Sequence, residues 1–248
     1  MRLGNLAVGM VRPLVRRRSV ESGSGAVAKD CPLLRASPRI SRFSLWKNVP
    51  ALRAKFPRGL ANMGISFAWT AVEALPPAEA LSRLSLGATG QTCAFPFDAV
   101  ASHVLPEQWF LVAAGRCNHR IIGPESMSEL SKGCDAVACA IEEHVNFSMA
   151  ELWRDGVRVW QVEYSAERTS DPLHWSGTLP DRFHTLHTAA EPDDSDKLDG
   201  IFLMDIPLIM AKEVAGYRHD EDDPGFDTTP FQLLTDLRPR KPWWKPWT

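Results

Sequence analysis

Residues 148–164 read SMAELWRDGVRVWQVEY, two strand-like runs flanking Asp155-Gly156. Asp-Gly supplies the positive φ angles of a type I′ turn, whose twist matches that of paired strands, so the stretch is predicted to fold as a β-hairpin. Just upstream, Asp135–Val145 sets Val137, Cys139 and Ile141 in period-2 alternation, which reads as a further strand. Three successive strands then make an antiparallel meander.

Working outward, Ile65, Phe67, Trp69 and Ala71 alternate with Ser66, Ala68 and Thr70, the pattern of a first strand. Pro77–Leu86 reads as a short helix, with proline at its start, Glu79 in the first turn, Leu81 and Leu84 on one face, and Gly87 just past the end. Gln108–Ala114 is a buried strand, and Pro124–Lys132 repeats the helix pattern with Glu125 early, Met127 and Leu130 inward and Gly133 as terminator. Strand followed by proline-started helix thus occurs twice, a hint of a pseudo-repeat. Residues 165–200 are polar and are expected to loop around a short helix near Pro180–Thr188. Pro207–Ala215 is the last helix, since Ile206, Met210 and Val214 fall at i, i+4 and i+8 and Gly216-Tyr217 fits a Schellman end. Clustered strands with interspersed helices imply an α+β fold: an antiparallel or mixed sheet with helices packed on one face.

Charge divides the chain. Residues 1–62 carry 13 Lys/Arg against Glu21 and Asp30, a net of +11, whereas residues 63–237 carry 11 Lys/Arg against 28 Asp/Glu, a net of −17. The first segment lacks the apolar surface needed to offset its ordering entropy and is expected to be disordered. Its arginine-rich, acid-poor composition admits three readings: a solvated tail, a targeting peptide, or an upstream extension of a protein whose translation starts at Met63. Residues 63–237 are expected to form a single acidic domain, and 238–248 (RPRKPWWKPWT from Arg238) a basic, Pro/Trp-rich disordered tail. No stretch approaches the roughly 20 apolar residues of a membrane helix. The domain's cysteines, Cys93, Cys117, Cys134 and Cys139, show no C-x-x-C spacing and are read as reduced thiols in a cytoplasm.

Several constellations could carry chemistry. Glu142 and His144, two apart on one strand face with Glu143 turned inward between them, could form an acid–base pair or two ligands of a metal. His184 and His187 stand at helical i, i+3 spacing, but no Cys or carboxylate completes a metal set at a recognised spacing. The acid run 192–200, PDDSDKLDG, fails as a calcium loop, because placing Gly200 sixth puts Ser195 first and Lys197 third. There is no G-x-S-x-G, no phosphate-binding glycine loop and no paired C-x-x-C, so the common hydrolase, nucleotide and zinc-ribbon readings fall away, and neither cofactor nor metal is expected.

The segments MGISFAWTAVE, EQWFLVAAG and EEHVNFSMAELWRDGVRVWQVEY resemble a family of small uncharacterised bacterial proteins that begin at the equivalent of Met63. The resemblance spans roughly residues 63–225 and implies no activity or site residue. Two functions of different class follow from the residues themselves. One is an acidic, inhibitor-like or immunity-like module that binds a basic protein through Asp193, Asp194, Asp196, Asp220, Glu221, Asp222 and Asp223, and that would repel nucleic acid. The other is an enzyme of unspecified reaction built on Glu142 and His144.

Overall fold

The computed structural model describes residues 64–168, 170–190, 200–221 and 230–239. The expectations for residues 1–62, for Asp193, Asp194, Asp196, Asp222 and Asp223, and for the tail from Arg240 onward lie outside the described residues.

The Asp155-Gly156 turn has φ of 50° and 79°, as a type I′ turn requires. It joins β6 (Phe147–Arg154) to β7 (Val157–Ser165), with Arg154 opposite Val157 and a register shift between Leu152 and Trp153. β5 (Asp135–Glu142) pairs with β6 and β8 (Leu173–Gly177) with β7, both antiparallel, so the expected three-strand meander has a fourth member. On its other edge β5 pairs with β1 (Ser66–Glu73), and β1 with β4 (Trp109–Ala114). Beyond β4 lie β3 (Val100–Val104), then β9 (Phe231–Asp236), then β2 (Leu86–Cys93). The sheet order is β2-β9-β3-β4-β1-β5-β6-β7-β8, with every neighbouring pair antiparallel.

Helices cover both faces, which corrects the expectation of one. On the first face, Phe67, Trp69, Val137, Cys139, Ile141 and Val162 pack under α3 (Asp181–Ala189) through Phe183 and Leu186, and under α4 (Asp205–Ala215) through Ile206 and Met210. On the second, Ala68, Val72, Ala136, Ala138 and Ala140 meet Ala80 and Leu84 around α1 (Pro77–Arg83) and Met127 and Leu130 of α2 (Pro124–Leu130), with Ile121 from the 3-10 turn Arg120–Ile122. The two proline-started helices share this face. Where β1 and β5 meet, its sheet surface is mostly alanine, at 68, 136, 138 and 140. Thr70, the polar member of the row, donates its hydroxyl to the Val137 carbonyl at 2.9 Å and so is buried without an unmet hydrogen bond.

Two further boundaries differ from expectation. α1 stops at Arg83, and the left-handed residue after it is Ser85 (φ 52°), so Gly87 belongs to β2 instead of ending the helix. β5 stops at Glu142, and residues 143–146 form a turn closed by Asn146 at φ 50°. α4 ends at the expected Gly216, at φ 69°, but its N–H donates to the Lys212 carbonyl at 2.7 Å, the single bond of an αL ending instead of the Schellman pair. Among the described residues no helix is long and apolar enough to cross a membrane.

Two glycines are expected to rank differently under substitution. A Cβ on Gly115 would sit 1.7 Å from the Phe97 carbonyl oxygen, a backbone clash that cannot be relieved by a side-chain rotation. At Gly156 the nearest atom is 3.2 Å away and the difficulty is the positive φ, worth about 1–2 kcal/mol for a β-branched residue. Urea unfolding should therefore show Gly156→Val destabilised by about 1–2 kcal/mol and Gly115→Ala by more.

Candidate functional site

Adjacent glutamates at the end of β5 face opposite sides of the sheet, and each organises a polar cluster. Glu142 lies on the alanine-rich side. Its Oε1 contacts His144 Nδ1, because the 143–146 turn folds the imidazole back over the strand end, and its Oε2 accepts from Cys117 Sγ at 3.5 Å. Ser66 completes the group by accepting the Cys117 N–H at 3.1 Å. Burial pushes the Glu142 carboxyl up, but hydrogen bonds from Ser66, His144 and Cys117 outweigh it and hold the group below the usual carboxylate range.

This order of contacts bears on chemistry. A thiol nucleophile needs the imidazole beside it, to take its proton. Here the carboxylate stands between them: Cys117 faces Glu142, and His144 faces the same carboxylate from its other oxygen. Burial raises the Cys117 thiol, and the facing Glu142 carboxylate raises it further. The arrangement favours a neutral thiol, the unreactive form. His144 is 53% exposed in its side chain, so the pair itself is a solvent-facing contact.

Glu143 points to the other face, as its place in the alternation requires. Its Oε2 accepts the Ile65 N–H at 2.8 Å and ties the entrance of β1 to the end of β5. Burial, with the Asp220 carboxylate adding to it against the Ile65 hydrogen bond, pushes the Glu143 carboxyl up to about 7. Asp220 belongs to a compact network that follows α4. Arg218 holds Asp220 through Nε–Oδ1 at 2.6 Å and Nη2–Oδ2 at 2.8 Å, and reaches Asp205, in the first turn of α4, at 3.1 Å. The bidentate fork is the geometry that suits Arg best. His219, between them in sequence, has a side chain only 3% exposed, and neither ring nitrogen has a hydrogen-bond partner; Nδ1 lies 4.0 Å from Asp220 Oδ1. Burial lowers the basicity of His219, opposed by Asp220. The Phe67 ring stands 5.6 Å from it, and Tyr217 packs edge-on against Trp69, whose indole N–H is likewise buried without a partner.

The residues singled out in the sequence therefore separate. Glu142 and His144 do meet. Asp220 is not a surface acid, since its side chain is 11% exposed and bound to Arg218; Glu221 pairs with Lys212 at 2.5 Å. His184 and His187 flank Phe183, with His187 stacked on it at 5.7 Å and 13° and also 5.2 Å from Trp175, so aromatic packing orders both rings. No group of three or more His, Cys, Asp or Glu among the described residues could hold a metal ion. The Arg218–His219–Asp220 network was missed because Asp220 was read together with Glu221, Asp222 and Asp223 as part of an acidic binding surface. The usable signal was Tyr217 beside Arg218, an apolar anchor that drags its charged neighbours inward. The chain matches no family model, no curated protein and no solved structure.

Removing Arg218 would leave the largely buried Asp220 carboxylate without the guanidinium that holds it at both oxygens. Arg218→Met is expected to cost about 3–5 kcal/mol in chemical denaturation. His144→Gln, at an exposed turn, should cost less than about 0.5 kcal/mol.

Proposed function

We propose that residues 63–237 act as an acidic binding module for a cationic protein partner in the cytoplasm, in the manner of an inhibitor or immunity protein. One observation carries the reading: the acidic excess is left over although most of the cations among the described residues are used internally. Arg83, Arg120, Lys132, Arg154, Arg158, Arg168, Arg182, Lys212, Arg218 and Arg238 each form an ion pair with a carboxylate of the same chain. Glu73, Asp98, Glu107, Glu125, Glu167 and Asp171 meanwhile have exposed side chains. Residues 191–199 add five acids against Lys197, and 222–229 add three acids, so the two most acidic segments bracket α4 in the sequence. Such a distribution speeds encounter with a basic surface and opposes approach to nucleic acid phosphates. No relative supplies an activity, so the reading rests on charge.

A second reading, an enzyme that uses Glu142 and His144, is supported by the contact those two side chains make. Against it stands the order of Cys117, Glu142 and His144, in which the base is not beside the thiol.

The two readings separate by experiment. Proteins captured by the full chain from a lysate of its own host should include a basic one whose association slows as salt rises, since screening acts over about 8 Å at physiological ionic strength. Reversing Asp193, Asp194 and Asp196 to Lys should slow association in the same way, while Glu142→Gln with His144→Gln leaves it unchanged. Capture that is indifferent to both salt and the reversals would defeat the binding reading. An activity lost in the Glu142/His144 double variant would establish the enzyme.

A further inference from the structure

The sheet ends in β2 on one side and β8 on the other, and the two free edges are built differently. At β2 the ladder with β9 is broken between Ala88 and Thr92, Gly90 takes φ 77°, and the Thr89 hydroxyl is donated to the Leu233 carbonyl at 2.9 Å. A bulge of this kind spoils an edge as a template for further pairing. β8 has no such device. Its register with β7 is unbroken from Leu173 to Gly177, and LHWSG contains no Lys, Arg, Asp, Glu or Pro. The Ser165 N–H donates to the Pro172 carbonyl at 2.8 Å, and the Thr178 N–H to the Val159 carbonyl at 3.0 Å. Backbone groups alternate in direction along a strand, so His174 and Ser176 also turn toward β7, and the N–H and C=O groups of Leu173 and Trp175 point away from it. The Trp175 ring packs on Phe183 at 5.1 Å and on His187 at 5.2 Å, yet the residue stays 39% exposed. The charge beside this edge has one sign. Arg168 is taken by Glu163 at 2.7 Å and Arg182 by Glu213 at 2.6 Å, while exposed Asp171, just before the strand, and exposed Asp181, at the start of α3, have no ion pair among the described residues.

We infer that the outer edge of β8 is where the cationic partner docks, by adding an extended segment that bears lysine or arginine as a further strand beside Leu173–Gly177. This rests on the binding reading above and gives it a surface. The backbone of the added segment pairs with the outward N–H and C=O groups of Leu173 and Trp175, which supplies affinity without regard to sequence. Its side chain opposite Trp175 lies against the exposed ring, where a Lys or Arg gains a cation–π contact that an apolar residue does not. Its other cations meet Asp171 and Asp181, which flank the strand and fix the sign of what can approach. A second copy of this chain is the poorer occupant. Paired antiparallel about Trp175, the two copies would bring Asp171 of one toward Asp181 of the other, and like charges so placed oppose the union.

The test is amide hydrogen exchange read by NMR on the full chain, with a blocked octapeptide of alternating lysine and valine as the probe and its glutamate counterpart as the control. In the free protein the Leu173 and Trp175 amides should exchange fast beside protected His174 and Ser176. Protection of all four without peptide would mean that the edge is already covered, by this chain or by a second copy, and overturns the inference. At low salt the lysine peptide should slow exchange at Leu173 and Trp175 several-fold, and the glutamate peptide should leave both unchanged. Trp175→Val removes the ring and keeps the outward N–H, so the peptide should bind more weakly but still protect both amides. Trp175→Pro removes that N–H as well while sparing the ladder with β7, and should abolish the protection of Leu173. Should Trp175→Pro unravel β8, the unmodified chain and Trp175→Val still decide. Salt-sensitive binding of the lysine peptide that leaves Leu173 and Trp175 unprotected would overturn the edge and spare the binding reading. A lysine peptide that binds no better than the glutamate one would overturn both.

Discussion

The fold depends on β1 being buried from both sides. Phe67 through Val72 are all at most 1% exposed, and no residue of that run can face water. A strand in this position must find apolar contacts above and below it and hydrogen bonds on both edges, so it forces two layers of cover and two flanking strands. β4 and β5 supply the edges. α4 with α3 supplies one cover, and α1 with α2 the other. The two layers differ in grain. Bulky Phe67, Trp69 and Ile141 project toward α4, while alanines at 68, 136, 138 and 140 receive the Met127 and Leu130 side chains of α2. At the β1–β5 seam the bulk thus lies on the sheet on one face and on the helix on the other.

The same strand sets where the polar clusters fall. Since β5 runs beside β1, the end of β5 brings Glu142 to Ser66 and Cys117 on one face, and Glu143 to Ile65 on the other. Period-2 alternation sends consecutive carboxylates into different environments. One becomes a hydrogen-bonded anion and the other a desolvated acid that favours its proton. Sequence neighbours with identical chemistry are separated in acidity by which face they are dealt to.

What could be read from the sequence was local, and what could not be read was not. The Asp155-Gly156 turn, the alternation in β1 and β5, and the proline-started helices carry their instructions within a few residues. β2, β3, β8 and β9 do not. β9 pairs with β2 and β3 across more than a hundred residues of chain, and LGATGQTC in β2 is glycine-bearing and exposed, with little in its own composition to mark a strand. Such elements become strands because an edge is offered to them. The one-faced sheet was an error of the same origin: Ala68 and Thr70 read as an outward row, when small residues also suit a face that a helix approaches closely. Glu142 and His144 were legible as a pair, although the turn that joins them was taken for strand.

The buried network after α4 shows why a charge count overstates what a surface presents. Asp205 and Asp220 enter the tally of the acidic domain with the same weight as Glu107 or Asp171, yet both are held by Arg218 and turned away from solvent. Buried, paired carboxylates contribute little to a partner's approach, because the guanidinium between them cancels their field at a few ångströms. The field that reaches a partner comes from exposed acids such as Glu73, Glu107 and Asp171. α4 is anchored at its start by the Asp205–Arg218 pair and at its end by Gly216 and Tyr217. The carboxylates of Asp205 and Asp220 are thus committed to holding that helix in place.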